Sequence, residues 1–238
     1  MELTYCMAKS SKTETKFEFN KEQRELSRLI LERNADGKIV MCKGRAGTGK
    51  NFTAIWSCIK KKEDLQHISL YYTRAVVGVD GEDLGFLPGE VNDKFNEYTY
   101  PLIDNLNAIA KLSDGVYNVN SLKAQWEAAP IAFFRGRTFD HSMMIIDECQ
   151  NLSYTQIKTI LTRIGQYSTF ILLGDPNQID NPKQRKLKKS RGYCDFECVC
   201  NYLNEHNIPL IEMTEVRRSG MSGYLSDLFE ELEHQQEI

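Results

Sequence analysis

The chain of 238 residues has no apolar run near the ~20 residues needed to span a bilayer, which excludes a spanning helix of the usual kind. Its start, Met1-Glu2-Leu3-Thr4, lacks a basic stretch followed by an apolar one, so no secretory leader is read there and a cytoplasmic location with no membrane partner is expected. The seven cysteines are odd in number and scattered mostly through apolar segments, which argues for reduced thiols over a disulfide framework. Cys194, Cys198 and Cys200 form the one cluster. With His206 they could make a metal site, but their spacing fits no standard zinc pattern, and packing on a helix is the favoured reading. A net charge of -3 and a pI near 5.9 exclude a uniformly basic nucleic-acid surface. There is no internal repeat and no linker rich in Gly or Pro, so after a polar lead-in over residues 1–19 a single domain is expected over 20–238.

What the chain has is a glycine-rich loop in the right setting. Gly44-Arg45-Ala46-Gly47-Thr48-Gly49-Lys50-Asn51 fits the phosphate-loop pattern G-x-x-x-x-G-K-[ST] at all but its last position. Glycines let the backbone fold so that successive N–H groups face one concavity, and the following helix adds its positive N-terminal end. Lys50 extends towards the β- and γ-phosphates of a bound nucleoside triphosphate. The last position normally gives Mg²⁺ a hydroxyl; Asn51 offers a carbonyl oxygen on a longer side chain, so a weakened or displaced cation is expected rather than loss of the nucleotide. An apolar run over 38–42 reads as a buried strand before the loop, and apolar residues at Phe52, Ile55, Trp56 and Ile59 read as a helix over 52–62 after it. A chance glycine-rich turn is the bland alternative.

A second constellation is Met143-Met144-Ile145-Ile146-Asp147-Glu148, an apolar strand ending in two acids. One carboxylate there can hold Mg²⁺ through water and its neighbour can orient or deprotonate an attacking water. A third apolar run ends in Gly174-Asp175-Pro176-Asn177-Gln178; these residues would make a turn in any case, while Gln178 offers a neutral donor and acceptor able to sense a γ-phosphate or that water. The remaining spacing predicts a helix capped by Asn20 and ending around 34–37, a strand over 68–72, helix within 92–112 interrupted at Pro101, and strands over 131–134, 142–146, 169–173 and 209–213. Helices are expected over 154–164 and 221–232. Strands alternating with helices argue for a parallel sheet covered on both faces, with ligands at the carboxyl ends of its strands. Between Lys183 and Arg191, six basic residues occur without an acid; the stretch either neutralises backbone phosphates or is a solvated loop balanced by the acidic tail at 230–233.

Taken together, the loop at 44–50, Thr73-Arg74-Ala75-Val76, Leu84-Gly85-Phe86-Leu87-Pro88-Gly89, Phe134-Arg135-Gly136-Arg137-Thr138, Asp147-Glu148-Cys149-Gln150-Asn151, Leu161-Thr162-Arg163-Ile164-Gly165 and 174–180 resemble the PhoH-like family of P-loop ATPases, related in motif to the first motor domain of superfamily 1 helicases. The resemblance covers most of the chain. It implies an α/β P-loop NTPase fold, a single RecA-like motor domain, with ATP and Mg²⁺ as cofactors and residues 44–51 as their cradle: Gly44, Arg45, Ala46, Gly47, Thr48, Gly49, Lys50 and Asn51. It further implies that Gln23 reads adenine, Lys50 binds phosphate, Asp147 takes the metal beside Asn51, Glu148 is the base and Gln178 the γ-phosphate sensor. Val216-Arg217-Arg218 resembles a late Val-Arg-His element of the family, so that Arg217 or Arg218 approaches the γ-phosphate of its own or a neighbouring subunit. The implied partners are RNA or single-stranded DNA and further copies of the chain, in a ring such as a hexamer. Two departures stand out, Asn51 and the basic 183–191 stretch. Two functions compete: an ATPase coupled to binding or unwinding of RNA or single-stranded DNA, and an ATP-dependent switch or scaffold with little turnover. A nucleotide kinase is disfavoured because no arginine-rich lid follows the loop.

Overall fold

The computed structural model describes residues 17–75 and 99–216. Strands β1 (Lys38–Gly44), β2 (Ser69–Arg74), β3 (Trp126–Ala128), β4 (Ser142–Asp147), β5 (Thr169–Gly174) and β6 (Leu210–Met213) form one sheet in the order β3-β2-β4-β5-β1-β6. Every pairing between them is parallel. A parallel sheet needs crossover connections that lay helices on its faces, so its central strands read as continuous apolar runs. Accordingly, all six residues of β4 and of β5 are buried.

The two-residue period of the strands divides the apolar side chains between two cores. Val40, Cys42, Leu70, Tyr72, Met143, Ile145, Ile171 and Leu173 face one side. They pack with helices α1 (Lys21–Leu31), α2 (Lys50–Asp64), α3 (Tyr100–Leu112) and α4 (Val119–Lys123). Met41, Met144, Ile146, Phe170 and Leu172 face the other. There they meet α5 (Tyr154–Leu161) and α7 (Asp195–Glu205), which contribute Ile157, Ile160, Phe196, Val199 and Cys200. The helix α6 (Pro182–Arg191) lies between β5 and α7 in sequence.

Local chemistry sets the helix starts. Asn20 and Gln23 form a reciprocal capping box at α1, and Ser153 and Gln156 do the same at α5. Pro101 starts α3 rather than interrupting it, because in the first turn its missing N–H would have had no partner. The strand expected over 131–134 is instead a 3-10 turn, Ile131–Phe134, which follows Pro130 and buries only Phe134. Its place beside β2 is taken by Trp126–Ala128, paired to Leu70–Tyr72. The basic stretch is no loop: Asn181 accepts from Lys183 N–H, Pro182 opens α6, and Gly192 closes it with φ +85°. The helix predicted over 154–164 ends at Leu161; the one over 221–232 and residues 92–98 lie outside the described residues.

Cys194 and Cys200 are buried around α7, where they join the core, and Cys198 is exposed. No group of three His, Cys, Asp or Glu able to hold a metal occurs among the described residues. No helix among them is long and apolar enough to cross a membrane.

Candidate functional site

The carboxyl ends of β1, β4 and β5 meet at one edge of the sheet, with β5 between the other two. That order sets the phosphate loop and the acidic pair two strand spacings apart, roughly 9–10 Å, with the Gly174-Asp175 exit between them. A cleft of about 670 Å³ opens there. Its polar wall includes Gln23, Lys50, Asn51, Asp147, Glu148 and Asp175, and Phe17, Phe19 and Phe52 line its apolar part.

The loop turns at Gly47 (φ +82°) and at Gly49 (φ +85°), which is the N-cap of α2 and leaves that helix without a side-chain cap. A side chain at Gly49 would also collide with Gln23, whose Nε2 lies 2.5 Å from where a Cβ would stand. Lys50 Nζ donates to the carbonyls of Gly44 and Arg45, the latter at 2.8 Å, and Thr48 Oγ1 donates to Arg45 O at 2.9 Å. Gln23 is buried and uses its amide at both ends: Oε1 accepts from Asn20 N–H, while Nε2 donates to Thr48 O at 3.1 Å. Helix α1 is thereby tied to the loop.

Asp147 is buried and accepts three hydrogen bonds. Tyr72 OH donates to Oδ2 at 2.8 Å, Asn51 Nδ2 to the same oxygen at 2.9 Å, and Glu148 N–H to Oδ1 at 2.9 Å. Burial, followed by the Asp147 charge, holds the Tyr72 hydroxyl proton far more firmly than in water. Glu148 takes a left-handed backbone conformation, φ +56°, costly for a residue with a Cβ, and this swings its carboxyl off the strand line into the cleft. Its carboxylate accepts from Arg74 Nη2 at 3.1 Å and from Gln150 Nε2. Burial first, then the neighbouring Asp147 charge, raise its pKa above the ordinary glutamate value, against the opposing pull of Arg74.

Gln150, fully buried, joins two strand ends. Besides Glu148, its Nε2 donates to the Gln178 backbone carbonyl at 2.9 Å, and its Oε1 accepts Asp175 N–H at 3.0 Å. Asp175 in turn accepts Ala46 N–H at 3.1 Å, reaching the phosphate loop from the middle strand. Asn151 Oδ1 receives Asp180 and Asn181 N–H, pinning the rest of the turn. Gln178 is exposed and lines the cleft with its neighbours. Arg217 and Arg218 lie outside the described residues.

The sequence profile of a family described as PhoH-like protein matches residues 18–230. The chain belongs to the PhoH-like protein family. Protein PhoH2 of Bacillus subtilis is 31% identical over 207 residues, which cover 84% of this chain and 45% of that protein. A second Bacillus subtilis relative, a PhoH-like protein, is 39% identical over 142 residues, 59% of this chain and 43% of the relative. Protein PhoH of Escherichia coli K12 is 38% identical over 149 residues, 61% of this chain and 41% of that protein. The matched region thus spans less than half the length of each of these relatives. The crystal structure of Pif1 helicase from Candida albicans aligns with a TM-score of 0.39 at 14% identity, over 84% of this chain and 40% of that one, a likeness that says nothing of activity.

This PhoH-like protein is a nucleotide-binding P-loop protein. The family usually pairs the nucleotide with Mg²⁺, and the residues present suit it. The donors are all oxygen, Asp147 and Asn51 lie within hydrogen-bond reach of each other, and the Asn51 Oδ1 is a buried oxygen with no hydrogen-bond partner. Asp147 and Asn51 would hold the ion, whose chemistry is to neutralise charge on the phosphate oxygens.

Sequence reasoning brought Lys50, Asn51, Asp147, Glu148 and Gln178 to this cleft and missed three residues that organise it. Gln150 and Asp175 stand beside the acidic pair and Gly174, so their positions carried a signal. Tyr72 carried none, being one of two tyrosines in an apolar strand.

Proposed function

We propose that this PhoH-like protein binds ATP with Mg²⁺ and hydrolyses it, coupling turnover to RNA or single-stranded DNA. The observation that carries this reading is that the loop lysine, the buried Asp147 carboxylate and a second carboxylate of raised proton affinity, Glu148, line a single cleft. Lys50 and the loop N–H groups offset the triphosphate charge, and Gln23, whose amide is tied to Asn20 and Thr48, keeps a second Nε2 hydrogen to give to adenine. Glu148 takes a proton from water as the water oxygen bonds to the γ-phosphorus and the bond to the bridging oxygen breaks, leaving ADP and phosphate. Gln178 contacts the γ-phosphate or that water. Arg217 or Arg218, acting from a neighbouring subunit of a ring, offsets charge in the transition state.

The test is direct. Lys50→Ala should weaken ATP binding by at least tenfold in an equilibrium titration, and Glu148→Gln should bind ATP normally but hydrolyse it at least a hundredfold more slowly, as expected for loss of a general base. Unchanged affinity in the first, or unchanged turnover in the second, would remove these residues from their roles. A second reading, a switch that binds ATP with little turnover, is favoured by one contact: the Asn51 amide already occupies an Asp147 oxygen. Tight ATP binding with no measurable steady-state hydrolysis, in the presence or absence of nucleic acid, would select it.

A further inference from the structure

A general base has to offer water a basic lone pair, and each oxygen of Glu148 already accepts a hydrogen bond, Oε1 from Arg74 and Oε2 from Gln150, which makes both less basic. The two partners differ in how easily they let go. Gln150 is fully buried and bound at two further backbone groups, so it cannot leave without unpairing them. Arg74 is a long side chain 29% exposed, and Glu148 is its one hydrogen-bond partner among the described residues. The fork of a guanidinium matches a phosphate better than it matches a single carboxylate oxygen, so a phosphate competes well for it.

Position names the acceptor. Glu148 lines the nucleotide cleft and Arg74 is not among the lining residues, so its part-exposed guanidinium is within reach of a ligand other than the nucleotide. Arg74 ends β2 opposite Asp147, and the neighbouring edge strand β3 leads into the 3-10 turn closed by the exposed Arg135. Two arginines at or beyond the ends of neighbouring strands would offer cations to successive backbone phosphates.

We propose that Arg74 is a latch on Glu148, and that a backbone phosphate of single-stranded nucleic acid opens it by taking the guanidinium, which frees Oε1 for water. This rests on the hydrolysis reading above. Arg74 is a positioning residue: it touches neither the nucleotide nor the attacking water, and it makes turnover depend on a polymer bound outside the cleft.

The experiment measures steady-state hydrolysis by the full chain and its Arg74→Ala and Arg74→Gln variants, with and without a uridine homopolymer. The homopolymer should raise kcat of the wild type by about fivefold, the range set by an ion pair this exposed. Both variants should show that raised kcat without the polymer, gain nothing from adding it, and keep the KM for ATP. Variants whose polymer-free kcat equals or falls below that of the wild type, or a wild type indifferent to the polymer, overturn the latch. If wild type and variants all bind ATP and none hydrolyses it, the hydrolysis reading itself fails, and the latch with it. Thermal melting within a few degrees of wild type certifies that the variants are folded.

Discussion

Replacing Gln150 by leucine, of similar volume, keeps the packing and removes the three side-chain hydrogen bonds by which Gln150 joins the ends of β4 and β5. The Asp175 N–H is left buried without an acceptor, which costs about 1–3 kcal/mol. The Gln178 carbonyl, only part-buried, and the half-buried Glu148 carboxylate each lose one donor and can recover part of the loss from water. Together these cost about 2–4 kcal/mol, and at ~2–4 °C per kcal/mol for a chain of this size the Tm should drop by roughly 4–16 °C. Thermal unfolding by circular dichroism measures it. Gln178→Ala is the control, because Gln150 engages the backbone of Gln178 and not its exposed side chain, so that variant should melt within about 2 °C of wild type. A Gln150→Leu protein that melts within 1 °C of wild type, or a Gln178→Ala protein as unstable as it, would refute the view that one buried amide holds the two strand ends together.

Asn51→Thr removes the amide donated to Asp147 and supplies a shorter hydroxyl ligand, so hydrolysis per bound ATP should rise, and a flat or lower rate would show Asn51 to be an adapted ligand. On α6, Lys188 pairs with Glu197, Arg191 with Asp195, and Arg185 donates to Ile179 O, whereas Lys183, Lys186 and Lys189 are exposed and make no ion pair among the described residues. Neutralising those three lysines should flatten the salt dependence of RNA binding by about two units, at ~0.7 per phosphate contact on a single strand, and an unaltered slope would leave α6 a solvated helix. Glu22 is nudged upward by burial but held net below the ordinary glutamate value by bonds from the Thr214 hydroxyl and the N–H groups of Thr214 and Glu215. A lowered folded-state pKa adds stability above the unfolded value near 4.5 that is lost as pH falls through the folded one, so the stability gap between wild type and Glu22→Gln should close below pH 4.5; a gap constant from pH 7 to pH 3 would contradict it.

Features carried by neighbouring residues were legible in the sequence. The phosphate loop is a contiguous backbone device, the Asp147-Glu148 pair ends its own strand, and apolar runs alternating with helical spacing require crossovers and hence a parallel sheet. Where prediction slipped, short elements were at fault: four residues at 131–134 satisfy the apolar pattern of a strand, yet Pro130 and one buried ring suit a 3-10 turn, and the three residues that do pair with β2 carry too little pattern to be seen. Tertiary structure alone decided the partnerships of the site. Asn51 and Asp147 are 96 residues apart, Ala46 and Asp175 are 129 apart, and Tyr72 and Arg74 of β2 meet Asp147 and Glu148 at the end of β4. These contacts depend on which strands are neighbours and in what register, and that order is set by the packing of two whole cores against one sheet, a cooperative quantity that no local spacing encodes.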